Sequence, residues 1–116
     1  MALDLDELTA ELREFVRQRD WEQFHNPKNL AMALAGEAGE LLAELQWIDG
    51  DESERSQLDD SVIVAIEDEI ADVLFYLLLL SERLGVDLSA ATRRKLSENT
   101  NRYTIDSVQG SALKAQ

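Results

Sequence analysis

The chain has 116 residues, 45% of them apolar, and a formal net charge of −13 at pH 7. This length is typical of one domain with a modest core, which oligomerisation would help to stabilise, and the negative charge argues against binding a nucleic acid polymer or an anionic membrane surface. There is no cysteine, which excludes disulfides, thiolate metal sites and cysteine nucleophiles and fits a cytoplasmic location.

The first predicted helix runs from about Asp4 to Arg19. Its leucines recur every three or four residues while its glutamates point to the other side, which is the pattern of a helix with one buried face. Because this segment is acidic and amphipathic, we do not expect it to be a secretory signal. The helical pattern breaks at residues 20–26.

A second helix is predicted from Pro27 to about Ile48, because Asn26 can cap it and proline is favoured at the first helical position. An acidic loop follows, to about Asp59. A third helix is expected from there to Leu84. Its longest apolar run, residues 73–80, is too short to cross a bilayer.

Asp87 is predicted to cap a fourth helix that reaches about Arg102. Residues 104–116 show no periodicity and are expected to form an extended tail. The predicted fold is therefore all-α, with one helical domain over residues 1–103.

Two pairs of carboxylates lie on apolar faces of the second and third helices. Glu37 and Glu40 are three residues apart, as are Glu69 and Asp72, so each pair points to one side of its helix. A buried carboxylate is costly unless it is protonated, ion-paired or bound to a metal. Four oxygen ligands favour a hard cation such as Mg²⁺.

The positions of the two pairs also predict that they meet. Glu37 and Glu40 lie about 12–17 Å before the expected end of the second helix, and Glu69 and Asp72 lie about 14–18 Å after the start of the third. If these helices are antiparallel neighbours, the four carboxylates reach the same height, as in the metal sites of helix bundles.

Other interpretations stay open from the residues alone. Acidic pairs are common in a chain with 24 Asp and Glu residues, and a solvated face explains pairs such as Glu11 and Glu14. Carboxylates on an apolar face could also form a buried salt-bridge network with Arg or Lys. The chain would then be a non-catalytic helical oligomerisation module.

Four stretches of the chain resemble a known family: RDWEQFHNPKNL (19–30), GEAGELLAELQW (36–47), EIADVLFYLLLL (69–80) and KLSENTNRY (95–103). Together with the order ExxE, spacer, ExxD, they resemble the MazG-like nucleotide pyrophosphohydrolases, and within these the dCTP pyrophosphatase branch. The resemblance covers nearly the whole chain.

The resemblance implies a four-helix bundle that assembles as a dimer of dimers, with Mg²⁺ as cofactor. It implies hydrolysis of a (deoxy)nucleoside triphosphate, dCTP or a modified dCTP, to the monophosphate and pyrophosphate, a reaction that cleans the nucleotide pool. Action of the same fold on dUTP or another non-canonical nucleotide is the alternative.

The resemblance also implies roles for individual residues. The implied Mg²⁺ ligands are Glu37, Glu40, Glu69 and Asp72. Our own hypothesis for the mechanism is that Glu37 or Glu40 orients or deprotonates the attacking water. The implied substrate-binding residues are Trp21 and Trp47 at the base, Tyr76 on the substrate side of the third helix, and Lys95, Asn99 and Tyr103 near the phosphates and sugar.

One position departs from that branch, whose members carry a histidine nine residues before the first tryptophan. This chain has Leu12 there, and leucine cannot donate a hydrogen bond to a base edge, so the base preference stays open. The one histidine of the chain, His25, is a candidate general base, and the alternative is that it satisfies only local backbone groups.

Overall fold

The computed structural model describes residues 2–112, and every regular element among them is helical. In chain order the helices are α1 (Leu5–Gln18), α2 (Pro27–Ala43), α3 (Asp60–Leu84), α4 (Leu88–Arg102) and the single-turn α5 (Ile105–Val108). Short 3₁₀ turns lie in the connections at Glu22–Phe24 and Arg55–Gln57. The prediction of an all-α fold is confirmed.

Two of the predicted helix starts depend on side-chain caps that the structure confirms. Asn26 Oδ1 accepts a hydrogen bond from the N–H of Asn29 at 2.8 Å, and Pro27 occupies the first position of α2. Asp87 caps α4 in the same way. Each cap satisfies a backbone donor that the first turn of a helix leaves without a partner.

The end of α2 differs from the prediction. The apolar spacing predicts a helix to about Ile48, whereas α2 ends at Ala43 and residues 44–48 continue as turns. The N–H of Leu45 bonds to the carbonyl of Leu42 at 2.9 Å, which is a bond between residues three apart. The chain thus changes from α-helical to tighter 3₁₀-type bonding, a change that the apolar spacing does not record.

The C-terminal segment also differs from the prediction. The lack of periodicity predicts an extended tail from residue 104, whereas Ile105–Val108 form α5, and the N–H of Val108 bonds to the carbonyl of Thr104 at 3.2 Å. The predicted tail residues 113–116 lie outside the described residues.

The chain divides into two compact units, one up to Leu84 and one from Gly85. The predicted helical domain over residues 1–103 stays a prediction. In the first unit α2 packs along α3, and α1 contacts α3 less extensively. Each of these helices contributes one buried apolar side chain to the described part of this unit: Val16, Leu30 and Leu78. The core is therefore small, and α3 retains exposed apolar side chains.

The second unit contains α4 and α5. Gly85, with φ at +68°, adopts the left-handed conformation that commonly ends a helix, here α3. None of the helices within residues 2–112 is long and apolar enough to cross a membrane.

Candidate metal centre

Glu37, Glu40 and Glu69 come together between α2 and α3. One carboxylate oxygen from each of the three lies within 4.8 Å of the others. Glu37 and Glu69 are half-buried and Glu40 is exposed, so the cluster has a protected side and a side open to solvent. The packing of α2 along α3 therefore brings three of the four predicted carboxylates together.

Asp72 lies on α3 next to this cluster but outside the group of three. It is half-buried, and its negative charge acts on Tyr76, which lies one turn further along α3. Burial raises the pKa of Tyr76, and the charges of Glu37 and Asp72 raise it further. The Tyr76 hydroxyl is therefore protonated at neutral pH and is within electrostatic reach of the carboxylates from both helices.

Two carboxylate oxygens in the cluster have no partner. Oε2 of Glu37 and Oε2 of Glu69 are buried and accept no hydrogen bond. None of the ion pairs found among residues 2–112 involves Glu37, Glu40 or Glu69, so the described residues do not form the salt-bridge network that the sequence left open. Buried carboxylate oxygens in this situation require a proton or a cation.

The pKa of Glu69 shows the same requirement. The close approach of the Glu37 carboxylate, burial, and the negative charges of Glu40 and Glu37 raise the pKa of Glu69 from 4.5 to about 7. A proton on Glu69 would let it donate a hydrogen bond to Glu37, whereas two ionised carboxylates can only accept. Like charges held this close together favour a bound proton, and they equally favour a bound metal cation.

The donor set fits a divalent metal ion. All the donors are carboxylate oxygens, they come from two packed helices, and two of their oxygens lack any other partner. Glu37, Glu40 and Glu69 are the residues that would hold the ion. Asp72 is the nearest further carboxylate on the same face of α3, three residues from Glu69.

The two predicted base-binding tryptophans have different surroundings. Trp21 packs edge-on against Phe15, with ring centroids 5.8 Å apart and an interplanar angle of 74°. Trp47 lies in the turns that follow α2 and is 88% exposed. Trp47 is therefore not a core residue of the described chain, and its ring is available for stacking.

The other predicted substrate-binding residues lie in the second unit. Lys95 and Asn99 are on α4, and Tyr103 is its C-cap residue, so spacings of four place all three on one face. Lys95 Nζ lies 3.9 Å from a carboxylate oxygen of Glu98. Asn99 and Tyr103 are half-buried, and the N–H of Tyr103 bonds to the carbonyl of Asn99 at 2.8 Å.

Sequence reasoning did not identify the ion pair between Arg13 of α1 and Glu82 of α3. The two residues are 69 positions apart, and neither stands in a motif. No local signal predicts such a contact.

The chain is similar to several known proteins. A sequence model described as the MazG-like family matches residues 33–115, a range that includes all four predicted carboxylates. The protein dCTP pyrophosphatase 1 from Bos taurus is 42% identical over 101 residues, which are 87% of this chain and 60% of that protein. Its counterpart from Homo sapiens is 41% identical over 101 residues, 87% of this chain and 59% of that protein.

The chain thus spans about three-fifths of the length of these curated relatives. The crystal structure of a pyrophosphatase from Archaeoglobus fulgidus is similar with a TM-score of 0.80 and 36% identity, covering 90% of this chain and 95% of that chain.

Proposed function

Because the chain belongs to the MazG-like family, we propose that it hydrolyses a (deoxy)nucleoside triphosphate to the monophosphate and pyrophosphate. The proposed substrate is dCTP or a modified dCTP, in keeping with the names of its curated relatives. The observation that carries the proposal is the cluster of Glu37, Glu40 and Glu69, with its two buried, unpartnered oxygens.

We propose Mg²⁺ as the cofactor. Its preference for carboxylate oxygens and for substrate phosphates as ligands agrees with an all-carboxylate cluster that is open to solvent on one side. When bound, Mg²⁺ would polarise the phosphate oxygens and offset their charge. Glu37, Glu40 and Glu69, together with Asp72, would hold it.

The residues around the cluster have separate proposed roles. Glu40, the exposed member, or Glu37 orients or deprotonates the water that attacks the α-phosphorus, so that pyrophosphate leaves. The protonated Tyr76 hydroxyl can donate a hydrogen bond to a substrate oxygen. Both roles follow from the solvent-open side of the cluster and the position of Tyr76 one turn beyond Asp72.

Substrate recognition is proposed for the two tryptophans and for one face of α4. Trp21 and Trp47 expose ring surface, and stacking of a base on an aromatic ring is worth about 1–3 kcal/mol. Lys95 would offset phosphate charge, and Asn99 and Tyr103 would supply hydrogen-bonding groups near the sugar and phosphates.

We also propose that the protein is a homo-oligomer, assembled as a dimer of dimers. The support is a row of apolar side chains seven residues apart on α3: Ile70 is 54% exposed, Leu77 41% and Leu84 57%. Such a row is typical of a helix that packs against another helix. Light scattering of the purified protein measures the mass directly, and a Leu77→Glu variant should shift it towards the monomer.

The test of the reaction is a substrate panel with separate detection of the monophosphate and of pyrophosphate. Purified protein is incubated with Mg²⁺ and each common and modified (d)NTP. Release of pyrophosphate with a preference for dCTP or its modified forms supports the full proposal. A preference for dUTP or another base keeps the reaction and selects the alternative substrate, for which Leu12 is the first candidate cause. No release from any substrate would leave a helical oligomerisation module.

A further inference from the structure

A cleft of about 500 Å³ lies in the first unit, away from the carboxylate cluster. Its walls come from α1, from the connection that precedes α2, and from the last turns of α3. Leu79 and Glu82 line it, and they lie about 10 Å and about 15 Å along α3 from Asp72, the nearest predicted metal ligand on that helix. None of the four predicted metal ligands contributes to it.

The floor of the cleft is apolar. Val16 of α1, Leu30 of α2 and Leu79 of α3 contribute to it. Val16 and Leu30 are 5% and 2% exposed and belong to the core of the unit, so this floor is held in place by the packing of the three helices.

The polar walls contain one satisfied pair and three groups without partners. Arg13 and Glu82 form an ion pair across the cleft wall. By contrast, the side chains of Arg83, Glu22 and His25 make no hydrogen bond or ion pair with any residue between 2 and 112. The charge of Glu22 acts on Arg17, which is already paired with Glu14.

The segment that carries Glu22 and His25 is held by its own hydrogen bonds. Gln23 Nε2 donates to the carbonyl of Asp20 at 3.0 Å, and Asn29 Nδ2 donates to the carbonyl of Phe24 at 2.9 Å. Asp20 adopts a left-handed conformation, with φ at +53°, which turns the chain out of α1. This wall of the cleft is therefore built by a defined turn.

The charges of the lining cancel, since Arg13 and Arg83 oppose Glu22 and Glu82. The triphosphate group of a nucleotide gains no net attraction from a neutral lining, so the cleft is not suited to the phosphates of the substrate proposed above. A ligand that carries one group of each sign would instead pair with Arg83 and Glu22 together. An apolar body on such a ligand would cover the floor.

We propose that this cleft binds a small zwitterion with an apolar body, of the size of an amino acid. Its anionic group pairs with Arg83, its cationic group pairs with Glu22, and its apolar part contacts Val16, Leu30 and Leu79. His25 can donate or accept a further hydrogen bond. The site does not depend on the proposed nucleotide chemistry.

The test uses the full chain in EDTA, so that metal-dependent binding is removed, and three matched probes. L-leucine carries both charges, 4-methylpentanoate lacks the ammonium group, and 3-methylbutylamine lacks the carboxylate. Calorimetry gives affinities, and amide chemical shifts locate the bound probe. We expect saturable binding of leucine, weakened about tenfold or more when either charge is absent, because a charge-assisted bond is lost.

Single substitutions test which side chains bind the two charged groups of leucine. Arg83→Gln and Glu22→Gln should each weaken leucine binding about tenfold or more. Arg55→Gln is the matched control. Arg55 is an exposed cation in the connection between α2 and α3, and it pairs with Asp60 at the start of α3. Equal affinities for all three probes, no effect of the two cleft variants, shifts centred on Glu37 and Glu40, or no saturable binding would each overturn the proposal.

Discussion

The face between α2 and α3 and the connection between those two helices are both rich in carboxylates, but they satisfy them differently. In the connection, Asp49 and Glu52 each accept a hydrogen bond from the other's backbone N–H, at 2.8 and 3.0 Å. Between the helices, Glu37 and Glu69 each retain a buried oxygen without any donor.

A high density of acidic residues is therefore not enough to make a cation site. Carboxylates in the exposed connection find backbone donors or water, whereas those on packed helix faces cannot turn away from one another. The helices thus hold like charges together, and only a proton or a cation relieves them.

The largest effect is expected from Glu40→Gln. Loss of one cluster carboxylate should lower Mg²⁺-dependent pyrophosphate release at least about a hundredfold, because the ion loses a ligand and the water an acceptor. Glu40 is exposed, so the variant should still fold, as circular dichroism would show. Asp51→Asn in the connection is the control and should retain turnover. Equal activity of the two variants would contradict the site assignment.

Thermal stability should respond to metal at the cluster. At ten times its dissociation constant, Mg²⁺ stabilises the folded chain by about 1.4 kcal/mol, which raises the Tm by about 4 °C or more. In Glu69→Gln this rise should disappear, while Asp51→Asn should keep it. Differential scanning fluorimetry with and without Mg²⁺ gives the comparison, and an unchanged rise in Glu69→Gln would count against the cluster.

The stability of the metal-free protein should depend on pH through Glu69. Its pKa is raised from 4.5 to about 7, so the folded chain binds this proton more tightly than the unfolded chain. The stabilisation is complete below pH 4.5 and is lost as pH rises through about 7. In EDTA, the Tm of the wild type minus that of Glu69→Gln should therefore fall between pH 4.5 and pH 7.5. If this difference in Tm instead rises between pH 4.5 and pH 7.5, the prediction is wrong.

The smallest effect is expected in the connection itself. Glu52→Ala removes the acceptor for the N–H of Asp49, which should lower the free energy of unfolding by about 1 kcal/mol or less. Turnover should not change. Urea denaturation and the pyrophosphate assay measure the two quantities, and a loss of turnover here would mean that the connection belongs to the site.

Much of the helical framework could be predicted from local sequence. Asn26 with Pro27, and Asp87, are capping signals whose geometry depends only on neighbouring residues, and the structure confirms both. The end of α2 could not be predicted, because Leu45 and Ile48 continue the helical apolar spacing although the hydrogen bonding has already changed. The spacing shows which side chains are apolar, but it does not show to which carbonyl each backbone N–H is hydrogen-bonded.

The candidate site shows a similar division. The meeting of Glu37 and Glu40 with Glu69 follows from antiparallel packing, and it persists although α2 is shorter than predicted, because the two helices pack along each other where these residues lie. The separation of Asp72 from the group of three could not be predicted. It depends on side-chain directions at the contact, which i, i+3 spacing does not specify.

The most direct test of the account is a Mn²⁺ titration followed by electron paramagnetic resonance, with Mn²⁺ standing in for Mg²⁺. We expect one saturable Mn²⁺ site in the wild type, from which Mg²⁺ displaces the Mn²⁺. Glu37→Gln should weaken Mn²⁺ binding about tenfold or more, and Asp51→Asn should leave it unchanged. Equal affinity for Mn²⁺ in the wild type and Glu37→Gln would show that the carboxylates between α2 and α3 do not hold the metal.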